Sequence, residues 1–148
     1  MKKIYFILFL LYPLALLSQE DGPQRLPLIF SLNSDELRTL VTAKTSQIKM
    51  SEEDIISISK IIDEKKEEYF KFVDQVKKSL PYDANGKLIG KADPEKIRER
   101  ETLHKEVCNS IYKILGDKRY KQFNRTLIDE SERQNMERLK NAGKNTKR

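Results

Sequence analysis

One uninterrupted, one-sided stretch constrains this chain more than anything else in it. From Ser51 to Ser79 there is no glycine or proline. Ile55, Ile58, Ile62, Tyr69, Phe72 and Val76 recur at helical intervals, with Lys65 the one polar member of the series. Such spacing places side chains on one face of an α-helix. Ile61, Phe70, Val73 and Leu80 widen the apolar stripe. Ser51 is placed to cap the first turn, and Glu52, Glu53 and Asp54 complement its positive end. Met50 and Ile55 stand at the positions of a hydrophobic staple. The result is an amphipathic helix about 40 Å long. A helix with one apolar face must bury it against another element.

The partner is supplied downstream. Pro81 ends the first long helix, and residues 81–93 read as a loop around the Asn85-Gly86 turn, with Tyr82 and Leu88-Ile89 as the flanks of a small hairpin. Asp93-Pro94 then restarts a helix with a cap and a first-position proline. Ile97, Leu103, Val107, Ile111, Ile114 and Leu115 form its stripe. Gly116 suits a C-cap or a kink, and Tyr120, Phe123, Leu127 and Ile128 carry the stripe onward. Upstream, residues 33–44 read as a short helix with Asn33 and Glu36 in capping-box register and Leu37, Leu40 and Val41 on one face. The fold expected is all-α, a long antiparallel helical hairpin with a short N-terminal helix. A lone pair of helices covers only the facing side of each stripe, so the short helix or a second copy must cover the rest, and a homodimer is expected.

The ends differ from this body. Lys2 and Lys3 precede an apolar run from Ile4 to Leu17, broken by Tyr12-Pro13 and followed by polar Ser18-Gln19-Glu20-Asp21. That is the pattern of a secretory signal peptide, and residues 1–19 are expected to be removed after Ser18 or Gln19. The run is shorter than the ~20 apolar residues of a spanning helix, and the alternative is a retained anchor. Residues 20–32 read as an extended leader whose Leu26, Leu28, Ile29 and Phe30 can dock on the helices. Residues 33–139 form the helical domain, and 140–148 a basic, disordered tail. The net charge of +6 comes from Lys2, Lys3, Lys140, Lys144, Lys147 and Arg148, and residues 20–139 are balanced. A basic tail on a neutral body argues against nucleic acid, which requires a basic face, and suits an anionic membrane surface. Periplasmic or secreted location follows from the signal pattern.

No catalytic set can be assembled around the single histidine, His104, and the chain reads as non-enzymatic. His104 and Cys108 are four apart and share a helix face, with Glu101 one turn before, so they are candidate transition-metal ligands. A packed histidine and cysteine beside a core stripe is the simpler reading of the same pair. Asp83-Ala84-Asn85-Gly86 lacks the spacing of a calcium loop. Asn124-Arg125-Thr126 matches the glycosylation pattern but lies within a helix.

Two segments, Met50-Ser51-Glu52-Glu53-Asp54 and Leu115-Gly116-Asp117-Lys118-Arg119, resemble degraded LTxxQ motifs of the Spy/CpxP-like periplasmic helical proteins. Neither keeps both Thr and Gln: Ser51 and Asp54 stand in the first, Gly116 and Arg119 in the second. The resemblance spans about residues 48–128. It implies an antiparallel dimer of bent helices forming a cradle, with unfolding protein clients on the concave side, and metal binding or sensing in some relatives. Ile61, Phe70, Phe72 and Val73 are then the candidate client-binding residues. An exported chaperone-like or envelope-stress protein is the leading expectation. A periplasmic metal-binding protein and an envelope-associated adaptor are the alternatives.

Overall fold

The computed structural model describes residues 23–43 and 48–145. The expected signal peptide and the last three residues of the expected tail lie outside them. Among the described residues the chain forms a 3-10 turn, Ile29–Ser31, and three α-helices, α1 (Ser34–Thr42), α2 (Glu52–Lys78) and α3 (Pro94–Asn145). The all-α hairpin is thus present, with α2 and α3 packed together. No helix of the described residues is long and apolar enough to cross a membrane.

Local chemistry sets the helix starts. At α1 the Asn33 side chain accepts from the Glu36 N–H at 2.8 Å, and the Glu36 carboxylate accepts from the Asn33 N–H at 2.9 Å. At α2 the Ser51 hydroxyl accepts from the Asp54 N–H and the Asp54 carboxylate accepts from the Ser51 N–H, each at 3.1 Å. Each reciprocal pair satisfies two backbone donors that a helix end would otherwise leave open. Asp93 begins α3 by accepting from the Glu95 N–H at 2.8 Å.

Gly116 changes the topology. It sits inside α3 at φ 70°, ψ 170°, a conformation no helix contains, so α3 consists of two arms, 94–115 and 117–145. The arms fold back on one another. Arg25 bonds Glu101 while its neighbour Gln24 bonds Asn124. In a straight helix Glu101 and Asn124 would be about 35 Å apart. The rings of Tyr112 and Tyr120 likewise meet edge-on at 5.3 Å between centroids. The sequence allowed a cap or a kink at this glycine, and the structure has a full reversal.

Arg119 secures the reversal. Its guanidinium donates to the Leu115 and Ile114 carbonyls, at 2.8 and 3.0 Å, capping the end of the first arm. It also pairs with Asp54 at 2.6 Å. Burial opposes ionisation of the Asp54 carboxyl. The Ser51 N–H and hydroxyl and the Arg119 guanidinium outweigh it and hold the group below its ordinary range. Segments 50–54 and 115–119 are therefore in contact.

The core is one cluster that includes Ile55, Ile58 and Ile62 from α2, Val107, Ile111 and Leu115 from the first arm of α3, and Tyr120, Phe123 and Leu127 from the second. Leu37 and Val41 of α1 join it. So do Leu26, Ile29, Phe30 and Leu32, all buried. The leader thus docks on the helices through Leu26, Ile29, Phe30 and Leu32, while Gln24, Arg25 and Ser31 stay exposed. Burying an aliphatic or aromatic side chain contributes about 1.5–3 kcal/mol, so these four residues matter to the whole fold. The expectation of a second copy rested on stripes left uncovered. Here the folded-back arm, α1 and the leader cover much of both stripes from the same chain, while Phe70 stays 45% and Ile128 42% exposed. The helix also continues past Lys140 to Asn145, into the segment expected to be a disordered tail.

Candidate functional site

The two arms of α3 present a row of polar side chains to the leader. The Tyr120 hydroxyl donates to the Gln24 carbonyl, and the Asn124 amide donates to the Gln24 side chain at 2.9 Å. His104 Nε2 lies 2.9 Å from the Leu26 carbonyl, and Arg25 Nε lies 3.0 Å from His104 Nδ1. A guanidinium can only donate. Nδ1 must then accept, the proton sits on Nε2, and the imidazole is neutral while donating to Leu26. Burial pushes the His104 pKa down. The Arg25 charge adds to that shift, and the Leu26 carbonyl and Glu101 oppose it. The ring is enclosed by aromatics: Phe30 and Tyr69 stack at 3.9 Å between centroids, and both meet the imidazole edge-on.

His104 and Cys108 share a helix face, as their spacing required, but the structure engages both with the leader. Both ring nitrogens of His104 have protein partners. The Cys108 thiol is buried, and burial pushes its pKa up despite the Leu26 backbone and the Tyr120 hydroxyl beside it. Metal binding draws on a free ring nitrogen and a thiolate. Glu101 is turned to Arg25 and Arg100. Among the described residues no group of three His, Cys, Asp or Glu side chains converges on a point where a metal ion would sit. Asn124 is buried with its amide bonded to Gln24, which leaves no room for a glycan at that position.

Beside this row lies an open cleft of about 610 Å³. Buried Phe30 and His104 reach it from the core. Leu28, Phe70, Val73 and Ile128 line it from the leader, α2 and the second arm of α3. Phe70 is 45% exposed and Ile128 42%. Of the candidate client-binding residues, the cleft brings Phe70 and Val73 together. Phe72 lines a separate groove of about 310 Å³ with Glu68, Arg98 and Leu103. Ile61 is half-buried and packs against the core.

Sequence reasoning missed three contributors to the cleft. Arg25 and Ile128 reach it only because the leader is inserted and the second arm folds back. Leu28 holds a left-handed backbone, φ 59°, before the 3-10 turn. That conformation costs a non-glycine residue about 1–3 kcal/mol, and it is held here by the Ser31 N–H donating to the Leu28 carbonyl at 2.8 Å and by burial of Ile29 and Phe30. Leu28 reads as apolar in the sequence, but nothing in its neighbours announces this backbone.

Comparison of the chain with family models, with curated proteins and with solved structures returns no match.

Proposed function

We propose that this is an exported, non-enzymatic binding protein that holds partly unfolded polypeptides in the cleft between the leader, α2 and the second arm of α3. The observation that carries the reading is the cleft itself. Leu28, Phe70, Val73 and Ile128 converge on one open concavity from three different parts of the chain. Exposed apolar groups gathered in one place mark binding surfaces far more often than scattered ones do. The open shape suits extended apolar segments better than an enclosed small molecule. The contact between Asp54 and Arg119 also supports the Spy/CpxP-like reading, because it joins the two segments on which that resemblance rests.

The test is suppression of client aggregation. The unaltered protein at stoichiometric ratio is expected to suppress it. Phe70→Ser with Ile128→Ser, both at exposed positions, is expected to remove most of that suppression while leaving the helical content and melting transition in place. Leu28→Asn is a second variant, since asparagine tolerates the left-handed backbone and removes one apolar wall. No suppression by the unaltered protein, or full suppression by both variants, overturns the reading.

A further inference from the structure

At the end of the molecule where α2 gives way to α3, the chain forms a small, closed hairpin. The Ile89 N–H donates to the Pro81 carbonyl at 3.0 Å, the Asp83 N–H to the Lys87 carbonyl at 2.9 Å, and the Gly86 N–H to the Asp83 carbonyl at 3.0 Å. Tyr82 and Leu88 face one another across an antiparallel bridge. Gly90 lies so close to the Pro81 ring that a Cβ there would come within 2.9 Å of it. The Asp93 N–H donates to the Ser79 hydroxyl at 3.0 Å and ties the base of the loop. This is an ordered element, and it displays apolar side chains outward: Tyr82 is 55% exposed, Leu88 49% and Ile89 65%. Residues 84–91 are all exposed, so the hairpin is a projecting tip and not the wall of a groove.

Its unpaired charge is positive, and Asp74, Asp93 and Glu95 flank its base. Lys77, Lys78, Lys87 and Lys91 surround it, against Asp83 alone within residues 77–91. Asp83 spends its carboxylate inside the turn, accepting from the Asn85 and Lys87 N–H groups at 2.9 and 2.8 Å. Lys78 is paired with Asp74, while Lys77, Lys87 and Lys91 have exposed ammonium groups with no partner among the described residues. The second arm of α3 runs in the same sense as α2, because Arg119 pairs with Asp54 near the start of α2 and Ile128 lies beside Phe70 and Val73 further along it. Exposed Met136 and Leu139 therefore lie toward this same end.

We propose that the hairpin tip is a docking site for an anionic lipid surface. The apolar tip enters the headgroup boundary and the three unpaired lysines meet lipid phosphates. Each part of the tip fits that partner. A projecting apolar point flanked by cations can enter the headgroup boundary of a bilayer without a preformed socket. Tyrosine is favoured at the depth where one end is apolar and the other wet. Lysine stems can lie along the apolar layer while their charges stay at the headgroups. The site is distinct from the cleft, so the two readings stand or fall separately.

The apolar run 4–17 of the full chain can itself partition into lipid, so the readout must be local to the tip. The chain contains no tryptophan, and Tyr82→Trp places a single fluorophore there. With vesicles of phosphatidylcholine containing phosphatidylglycerol, its emission is expected to move to shorter wavelength and to be quenched by spin-labelled lipid. Vesicles of phosphatidylcholine alone are expected to produce neither effect. Adding Lys87→Glu and Lys91→Glu should raise the half-saturating lipid concentration by about fivefold or more for each lysine. Leu88→Ser with Ile89→Ser should abolish the shift, with circular dichroism showing the helices intact. Unchanged emission on anionic vesicles overturns the proposal, as does an equal shift on neutral ones. A shift produced by an unfolded protein without lipid overturns it too and assigns the tip to a protein partner.

Discussion

His104 shows how much one side chain does here. Its position in the sequence suggests a ligand or a packed residue, and its two nitrogens show what it holds: Arg25 on one side, the Leu26 carbonyl on the other. Protonation would put an N–H on Nδ1 against the Arg25 Nε–H, two donors facing each other. The sign of the pH dependence follows. Burial, aided by Arg25, lowers the folded pKa below the ordinary 6.5. Between the lowered value and 6.5 the unfolded chain binds more protons, so stability is fully present above 6.5 and is lost as pH falls toward the folded value. Urea denaturation across pH 5 to 7.5 is expected to show a rising midpoint. His104→Gln, which does not titrate in this range, should flatten that part of the rise. An equal slope in both proteins would assign the effect to other groups.

Among the elements, α3 departs furthest from its sequence pattern. The starts of α1, α2 and α3 were legible because caps are local: Asn33 with Glu36, Ser51 with Asp54, and Asp93 before Pro94 act within one turn. The loop at Asn85-Gly86 was legible for the same reason. The reversal at Gly116 was not. The stripe from Ile97 to Leu115 resumes at Tyr120 with helical spacing, and a straight helix and a folded-back one share that pattern. What separates them is one glycine's backbone and the distant carboxylate of Asp54 waiting for Arg119. Gly116→Ala tests the point. A Cβ there would meet nothing within 4 Å, so crowding plays no part, and the cost is that of φ 70°, ψ 170° for a residue with a side chain. Destabilisation of about 1–3 kcal/mol is expected, read from the denaturation midpoint at unchanged slope. A neutral substitution would mean the chain does not turn there as described.

For the molecule as a whole, composition and periodicity determined the class, all-helical with long one-sided helices, and left the closure open. The sequence pattern called for the short helix or a second copy to cover the rest of the stripes. Within one chain, residues 23–32 and the second arm of α3 cover much of them, through pairings far apart in sequence that leave no local signal. The candidate site divides in the same way. Phe70 and Val73 were legible as surplus apolar residues on α2. Their joining with Leu28 and Ile128 was not, because it exists only once leader and arm are in place. The account's central claim is therefore that α3 folds back within one chain. The most direct measurement is the distance between spin labels at exposed Thr102 and Arg125, with Cys108 replaced and labelled protein diluted in unlabelled. Folding back predicts a separation well below the ~35 Å of an uninterrupted helix between these positions; a distribution centred near that length contradicts it.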